Sequence, residues 1–316
     1  MRVLFLGSPE FAVPSLKALI HSAAYEVVGV ITQPDRKAGR GQKLTGPPVK
    51  TVASEYEIPV RQFSRIRNNP EVSELLVRWK PDIMVVVAFG QILPPDFFEF
   101  PSYGTLNVHA SILPKYRGAA PVAHAILNGE TETGVSIMRI DEGMDTGDVL
   151  TQRTVAVSDM VTTGELEATL AKEGASLLME TIGGYLSGDI RSQPQSQEQV
   201  SYAPRISKED ARISWNEAAC RVHNRVRAMN PWPCAFTRFR DQELKIWRTA
   251  VADELAGIDQ GSPVGAVTEI NRDRIVVRCA GPSYLSLITL QLPNRKRVSA
   301  GDFVNGTQLR VGERLI

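Results

Sequence analysis

The sequence has few cysteines and no long apolar run. Its 316 residues include three cysteines, Cys220, Cys234 and Cys279, which are far apart and form no CxxC pair. An odd and sparse cysteine count fits a reducing compartment and argues against a disulfide framework, and without a nearby cluster of histidines it also argues against a structural zinc site. No stretch approaches the roughly 18 uninterrupted apolar residues of a membrane-spanning helix, and the first residues lack the pattern of a signal peptide. We therefore expect a metal-independent, cytoplasmic protein.

Charge is distributed unevenly along the chain. Residues 1–202 contain 18 Lys and Arg against 23 Asp and Glu, whereas residues 203–316 contain 18 against 12. The first part is therefore acidic and the second part basic. A basic half is a weak indication of a polyanionic partner, because many basic surfaces contact only solvent.

The first part of the chain alternates short apolar runs with amphipathic segments. Runs rich in Val, Ile and Leu, typical of strands buried on both faces, lie at 2–7, 26–32, 82–88 and 104–109. Helices are predicted between them at 14–21, 48–57 and 71–79. Further along, a helix at 119–128, strands at 134–140 and 149–157, and a long helix at 163–187 are predicted. This alternation predicts an α/β fold with a doubly wound, mostly parallel sheet.

A polar segment separates this part from the next. Residues 188–199 (GDIRSQPQSQEQ) have no hydrophobic period and resemble a linker. After them we predict a helix at 217–229 and then five short β-rich runs at 235–240, 244–249, 265–269, 274–279 and 284–291. Such a pattern favours a small antiparallel barrel of the oligonucleotide-binding (OB) type. The predicted domains are therefore residues 1–188, a linker at 189–204, and a C-terminal β-barrel domain at 205–316.

Three polar residues are candidates for a catalytic site. Asn107 and His109 are two positions apart in a predicted strand, so their side chains share one face near its end. In an open parallel sheet, the carboxyl ends of the strands border the ligand crevice. The next predicted strand ends directly before Asp141-Glu142-Gly143-Met144-Asp145, which can return Asp145 to that crevice. We expect an amide, an imidazole and a carboxylate to meet there.

These side chains suit acyl transfer from an amide-like donor to an amine. Asn107 can donate N–H bonds to the oxyanion of a tetrahedral intermediate, which is typically worth about 3–4 kcal/mol. His109 can share that role or move a proton near neutrality, and Asp145 can orient the imidazole and accept a proton from the amine. From the residues alone a structural role stays open, in which Asn107 and His109 bond to loop backbone and Asp145 belongs to a turn.

The segments around these residues resemble the signature of the folate-dependent formyltransferases. The similar segments are 107–109 (NVH), 111–121 (SILPKYRGAAP), Asp141 with 145–147 (DTG), 32–41 (TQPDRKAGRG) and 230–233 (NPWP). The resemblance covers nearly the whole chain and is greatest to the members that act on methionyl-tRNA. It implies a Rossmann-like formyltransferase fold with Asn107, His109 and Asp145 as the catalytic residues. One departure is Ala110, where many members have Gly.

The same resemblance implies the reaction and the folate-binding residues. The formyl group would pass from N10 of the cosubstrate 10-formyltetrahydrofolate to the α-amine of methionine on initiator tRNA. Residues that match the folate-binding stretch are Ser111, Ile112, Leu113 and Pro114. Residues that match the segment flanking the pteridine pocket are Phe89, Gly90, Gln91 and Ile92.

Basic residues are the candidates for tRNA contact. A stretch at 36–54 has no acidic residue before Glu55 and contains Arg36, Lys37, Arg40, Lys43 and Lys50. By the resemblance this loop would reach the acceptor stem, with Arg40 as a wedge at its weak first base pair. In the basic half, Arg221 and Arg225 lie one helical turn apart, and a further cluster lies at 295–297. These would contact the RNA backbone.

Two other activities stay open at the same three residues. A formyltransferase for a small amine, such as a glycinamide ribonucleotide or an amino sugar, would need neither the basic loop nor the basic second domain. A hydrolase of 10-formyltetrahydrofolate would replace the amine by water. A nonenzymatic RNA-binding module would leave the polar cluster in the acidic half without a role. We therefore expect a monomeric, metal-free enzyme that formylates methionyl-tRNA.

Overall fold

The computed structural model describes residues 1–38, 41, 43–252 and 261–316. Contacts between residues divide the chain into two compact units. The first unit contains Met1–Pro121, Glu132–Ala156 and Glu167–Pro204. The second contains Val122–Thr131, Val157–Leu166 and Arg205–Ile316. The domain boundaries at 188 and 205 stay a prediction.

Strands and short helices alternate along the described part of the chain up to residue 204. The strands are β1 (Arg2–Gly7), β2 (Glu26–Thr32), β3 (Arg36–Ala38), β4 (Lys43–Thr45), β5 (Val60–Gln62), β6 (Ile83–Val87), β7 (Thr105–His109), β8 (Arg117–Gly118), β9 (Glu132–Arg139), β10 (Val149–Ala156) and β11 (Tyr202–Ala203). The helices are α1 (Val13–Ile20), α2 (Pro48–Glu55), α3 (Pro70–Trp79), α4 (Pro95–Phe98), α5 (Pro121–Leu127) and α6 (Thr163–Ser187). The predicted strands and helices of this part are all present, most with ends shifted by one to three residues.

Seven of these strands form one sheet in the order β10-β9-β7-β6-β1-β2-β5. Strands β7, β6, β1, β2 and β5 are mutually parallel, which confirms the mostly parallel sheet. Their Val-, Ile- and Leu-rich residues are almost completely buried, as the lack of polar alternation predicted. The carboxyl ends of β1, β2, β6 and β7 therefore lie along one edge of the sheet.

The strand before Asp141 does not end at the edge where β7 ends. Strand β9 runs antiparallel to β7, with Leu106 opposite Arg139 and His109 opposite Ser136. The carboxyl end of β9 therefore lies beside the amino end of β7. Asp145 reaches the crevice edge through the loop at 140–148.

The helix α6 determines which face of β7 is open. Gly174 of α6 packs against Val108 of β7 and Val135 of β9, where an added Cβ atom would lie 2.8 Å from Val108 Cγ1. Since side chains alternate along a strand, Asn107 and His109 lie on the opposite face from Val108. This packing leaves the two polar residues on the face that α6 does not cover.

The second unit contains a curled antiparallel sheet. Its described strands are β12 (Phe236–Phe239), β13 (Gln242–Ala252), β14 (Val267–Ile270), β15 (Ile275–Arg278), β16 (Tyr284–Gln291) and β17 (Val298–Ser299), with helices α7 (Ala219–Ala228) and α8 (Ala300–Thr307). The strand order is β12-β13-β16-β15-β14, with β17 beside β16. Leu315 bridges Phe239 and Arg314 bridges Ala266, so the last residues contact both ends of the sheet. Val222, Val226 and Met229 face the core, as their spacing predicted. This arrangement confirms an antiparallel, half-barrel sheet.

Of the helices in the described residues, none is both long and apolar enough to cross a lipid bilayer.

Candidate active site

His109 is nearly buried, and both of its ring nitrogens face oxygen atoms. Its side chain is 6% exposed. The Nε2 atom lies 3.0 Å from the backbone oxygen of Tyr116. Because a carbonyl oxygen only accepts hydrogen bonds, Nε2 carries the proton that it donates there. The Nδ1 atom faces Oδ2 of Asp145 at 3.6 Å.

Asp145 lies in the loop at 140–148 with a left-handed backbone, at φ 54°. Its Oδ2 atom accepts the backbone N–H of Gly118 at 2.8 Å. Within the described residues, its Oδ1 atom accepts no hydrogen bond. Nearby Gly147 approaches the backbone oxygen of Arg139 so closely that a Cβ atom would collide with it. The loop thus holds one carboxylate oxygen in place and leaves the other able to take a proton.

Asn107 is half-buried on the same face of β7 as His109. No hydrogen bond to its side-chain amide is present in the described part of the chain. The structural alternative therefore does not hold for Asn107, whereas His109 does make the bond to loop backbone that it predicted, to the Tyr116 oxygen. An amide that has no hydrogen-bond partner among the described residues, at the carboxyl end of a parallel strand, is suited to donate to a ligand oxygen.

The stretch at 111–116 is held by buried polar contacts. Ser136 Oγ donates to the backbone oxygen of Ser111 at 2.6 Å and accepts the backbone N–H of Leu113 at 3.1 Å. Gln152 Nε2 donates to the backbone oxygen of Leu113 at 2.9 Å. The side chains of Ser111 and Leu113 are buried, whereas those of Ile112 and Pro114 are partly exposed. Of the four predicted folate-binding residues, Ile112 and Pro114 therefore have side chains available to a ligand.

The segment at 89–92 follows β6 and divides in the same way. Phe89 is buried in the core. The side chain of Gln91 accepts the backbone N–H of Ile66 at 2.9 Å and donates to the backbone oxygen of Phe63 at 2.8 Å, and these bonds hold the loop. Gly90 has φ 78° and open space at its Cβ position. Ile92 is 83% exposed. Gly90 and Ile92 are thus the two residues of this segment that can meet a ligand.

The described residues of the basic stretch after β2 include two short strands that pair with each other. Strands β3 and β4 pair antiparallel, with Arg36 opposite Thr45 and Lys37 opposite Leu44. The side chains of Arg36, Lys37 and Lys43 are exposed. Arg40, the predicted wedge, lies outside the described residues.

Lys50 has a different position from the other basic residues of this stretch. Its Nζ atom pairs with both oxygens of Asp35, at 2.8 and 2.7 Å, and lies 3.0 Å from Gln62 Oε1. Hydrogen bonds from Lys50 and Gln62 hold the pKa of Asp35 below its usual value. Lys50 therefore anchors the base of the hairpin to the sheet.

The predicted basic residues of α7 are in unlike environments. Arg221 is exposed. Arg225 pairs with Glu217 through Nη2, at 2.9 and 3.1 Å, and its Nη1 donates to the backbone oxygen of Asp210 at 2.7 Å. In the cluster at 295–297, the guanidinium of Arg297 lies 3.2 Å from the ring centroid of Trp247. Of this pair, Arg221 is the one whose side chain forms no hydrogen bond or ion pair with any described residue.

Sequence reasoning missed the contribution of the predicted linker to this site. Gln195 bonds to the backbone of Asp145, and Ser201 Oγ accepts the backbone N–H of Tyr116 at 2.9 Å. Both residues lie in a polar stretch without hydrophobic period. Their type and spacing gave no signal, because each acts through hydrogen bonds to distant backbone.

Comparison with known families decides the class of this site. Residues 1–182 match the family described as formyl transferase, and residues 205–308 match the family described as formyl transferase, C-terminal domain. The chain belongs to the formyl transferase family. The resemblance of the segments at 107–121 and 141–147 to formyltransferases is thereby confirmed.

Individual relatives are similar over the whole chain. A methionyl-tRNA formyltransferase of Clostridium perfringens (strain 13 / Type A) is 43% identical over 313 residues, which cover 99% of both chains. A methionyl-tRNA formyltransferase of Synechococcus sp. (strain JA-3-3Ab) is 47% identical over 319 residues, covering 99% of this chain and 98% of that one.

A solved structure shows the same formyl transferase fold at lower identity. The sugar 3N-formyl transferase WlaRD, crystallised in the presence of dTDP and 5-N-formyl-THF, superposes with a TM-score of 0.67 at 21% identity. The match covers 94% of this chain and 99% of that chain. At this identity the likeness supports the fold alone.

Among the described residues, no group of three or more His, Cys, Asp and Glu is arranged to hold a metal ion.

Proposed function

We propose that this formyl transferase moves a formyl group from 10-formyltetrahydrofolate to the α-amine of methionine esterified to initiator tRNA. The observation that carries the chemistry is the proximity of His109 and Asp145, 3.6 Å apart, at the strand end that also bears Asn107. The choice of acceptor is supported by relatives named methionyl-tRNA formyltransferase that match 99% of the chain at 43–47% identity.

Asn107 is proposed to stabilise the charge that develops on the formyl oxygen. Attack of the amine turns the formyl carbon tetrahedral and places negative charge on that oxygen. The Asn107 amide has two N–H donors and no competing partner in the described residues, so it can donate to the oxyanion without first breaking a bond. A donor that is already in place at this position is typically worth about 3–4 kcal/mol.

Asp145 is proposed to accept the proton that the attacking nitrogen releases. Its Oδ1 atom is the open one, while Oδ2 is held by Gly118 N at 2.8 Å. His109 faces the held oxygen through Nδ1. Because Nε2 is occupied by the Tyr116 carbonyl, the geometry favours the proton-handling role of His109 over direct contact with the oxyanion. The two residues then act as one unit that takes the proton from the amine and returns it to N10 of the leaving tetrahydrofolate as the bond between the formyl carbon and N10 breaks.

A folate is proposed to bind in the crevice as the formyl-donor cosubstrate. Ile112 and Pro114 offer partly exposed apolar side chains on one loop, and Gly90 and Ile92 offer an open backbone and an exposed side chain on another. A flat heteroaromatic ring needs apolar walls with a few fixed polar groups, and these loops can supply both. When bound, the folate would supply the formyl group.

The basic residues are proposed to hold the tRNA. Arg36, Lys37 and Lys43 on the β3–β4 hairpin are exposed cations suited to phosphate contact. Arg40 lies between them in the sequence, and we keep it as the proposed wedge. In the second unit, Arg221 and the cluster at 295–297 present further exposed positive charge. We propose a monomeric enzyme that acts in the cytoplasm, where charged tRNA is available.

The small-amine transferase and the hydrolase are less well supported. Neither would use the exposed cations of the hairpin, because neither a small amine nor water is a long polyanion that these cations could bind. The similarity to a sugar formyl transferase is a similarity of fold. It does not select a sugar as the acceptor.

The proposed function is tested by offering the enzyme one formyl donor and four acceptors. The purified chain is incubated with 10-formyltetrahydrofolate and charged initiator methionyl-tRNA, elongator methionyl-tRNA, an amino-sugar nucleotide, or buffer alone. We expect formylated product with initiator tRNA and little with the others. Formate release without formylated product would establish the hydrolase, and formylation of the amino sugar alone would establish the small-amine enzyme.

A further inference from the structure

Arg117 and Gln195 together hold the loop that carries Asp145. Gln195 Oε1 accepts from Nε and Nη2 of Arg117, at 3.1 and 2.7 Å. On its other side, Gln195 Nε2 donates to the backbone oxygens of Asp145 and Gly147, at 2.9 and 2.7 Å. One amide side chain thus connects a buried guanidinium to two carbonyls of the loop.

Strand β8 contacts Asp145 by two routes. The backbone N–H of Gly118 reaches the carboxylate oxygen Oδ2 at 2.8 Å. The side chain of the preceding residue, Arg117, reaches the backbone of Asp145 through Gln195. Strand β8 is itself fixed by pairing with β11, where Arg117 lies opposite Tyr202. The two-residue strand β8 therefore holds both the backbone and the side chain of Asp145 in place.

Arg117 is buried although it carries a positive charge. Its side chain is 4% exposed. In the described residues it forms no ion pair, and its guanidinium is bonded to a neutral amide. A buried charge without a counter-ion costs free energy, so a compensating role is expected. Gln195 connects this positive charge to the loop that carries Asp145 through its hydrogen bonds to both.

We propose that Arg117 and Gln195 are positioning residues for formyl transfer. By holding the left-handed backbone of Asp145, they keep its carboxylate within reach of His109 Nδ1 and leave Oδ1 able to take a proton. The inference rests on the proposed catalytic role of Asp145. It assigns a function to a residue of the segment at 189–204, whose sequence resembles a linker.

Two substitutions of Gln195 distinguish its bonds to Arg117 from its bonds to the backbone of Asp145 and Gly147. Gln195→Leu removes both sets of bonds. Gln195→Glu keeps an oxygen for Arg117, now as an ion pair, but it removes the N–H donors to Asp145 and Gly147. Gln193 provides the matched control, because it is exposed and bonds to Val149 only through its backbone N and O. Gln193→Leu should therefore behave as wild type.

The experiment measures single-turnover formylation of methionyl-tRNA as a function of pH, at a temperature below the Tm of every variant. We expect both Gln195 variants to lose rate on the order of 10²-fold, because a displacement of about 1 Å at a catalytic group has that effect. We expect the half-saturating concentrations of both substrates to change less than the maximal single-turnover rate, and the pH dependence of that rate to shift. If Gln195 only anchored the segment at 189–204, its substitution would lower the Tm and leave the pH profile of the rate unchanged.

Asp145→Asn measured in parallel separates the two proposals. If Asp145→Asn is inactive and both Gln195 variants have the wild-type rate and pH profile, the positioning role is wrong while the role of Asp145 stands. If Asp145→Asn retains the wild-type rate, the catalytic assignment fails and the positioning proposal fails with it. Should Gln195→Leu not fold, Gln195→Glu alone decides, since it retains the contact with Arg117.

Discussion

The Nδ1 atom of His109 lies 3.6 Å from the Oδ2 atom of Asp145, and that oxygen already accepts the Gly118 N–H at 2.8 Å. The first distance is longer than a hydrogen bond and within the range of an ion pair. A loop movement of about half an ångström would close it to hydrogen-bond length. The position of the 140–148 loop therefore controls whether imidazole and carboxylate share a proton.

Removing the amide of Asn107 should slow the reaction without unfolding the protein. Because the side chain has no hydrogen-bond partner in the described residues, Asn107→Leu should leave the Tm close to that of wild type. Loss of one oxyanion donor should lower kcat by about 10²–10³-fold, with a much smaller change in KM. Steady-state kinetics and thermal unfolding check both parts. A kcat near wild type would remove Asn107 from the mechanism.

Charge reversal on the hairpin should weaken tRNA binding and make it less sensitive to salt. Lys43→Glu removes an exposed cation from β4, and each lost phosphate contact lowers the salt slope by about one. Lys172→Glu, an exposed lysine on α6, is the control with the same charge change. Binding is measured across a salt titration. Equal losses in the two variants would indicate a general charge effect and no hairpin contact.

The two arginines of α7 should respond differently to truncation. Arg225→Ala breaks the pair with Glu217 and the bond to the Asp210 carbonyl, so the unfolding free energy should fall, on the order of 1 kcal/mol. Arg221→Ala should leave stability unchanged and weaken tRNA binding. Urea unfolding and a binding assay are compared on both variants. Weakened tRNA binding by Arg225→Ala at unchanged stability would instead support the RNA-contact role that its spacing predicted.

The stability of the second unit should fall as the pH drops below about 6.5, the reference pKa of histidine. His223 is buried, with Nδ1 2.8 Å from Thr249 Oγ1 and Nε2 2.7 Å from the Asp159 backbone oxygen. Burial, and secondarily Arg227, lowers the pKa of His223. Between the lowered pKa and the reference pKa the unfolded chain binds more protons, so stability rises with pH in that window and is complete above it.

Denaturant unfolding followed by tryptophan fluorescence checks this pH dependence, because three of the four tryptophans, Trp215, Trp232 and Trp247, lie in the second unit and Trp79 lies in the first. His223→Gln should reduce the difference in unfolding free energy between neutral and mildly acidic pH. His21→Gln, at an exposed position, is the control. An unaltered pH dependence in His223→Gln would show that another group causes it.

The sequence was sufficient for most elements of the fold, because apolar periodicity reports burial directly. The helix Thr163–Ser187 and the strand Tyr284–Gln291 have the predicted bounds. The direction of β9 was not predictable in this way. A helix between two strands usually indicates a parallel crossover, and α5 lies between β7 and β9. Strands β7 and β9 nevertheless pair antiparallel, so the presence of a helix between them did not indicate their relative direction.

The site was predictable where its residues share one strand or one loop, and not where they meet through side-chain hydrogen bonds. Asn107 and His109 share a face because of strand geometry alone. Gln195 and Ser201 were missed because their segment is polar and their partners are backbone atoms far along the chain. The environment of Arg225 was missed for a related reason, since helical spacing shows which face it occupies but not that Glu217 pairs with it.

The most direct measurement is the single-turnover rate of formyl transfer to methionyl-tRNA by Asp145→Asn, which keeps the size of the side chain and removes its capacity to accept the proton. Glu142→Gln, an exposed acid in the same loop, is the control. We expect Asp145→Asn to lose about 10²–10⁴-fold in rate with unchanged folding, and Glu142→Gln to retain the wild-type rate. A rate for Asp145→Asn equal to that of Glu142→Gln would contradict the proposed chemistry.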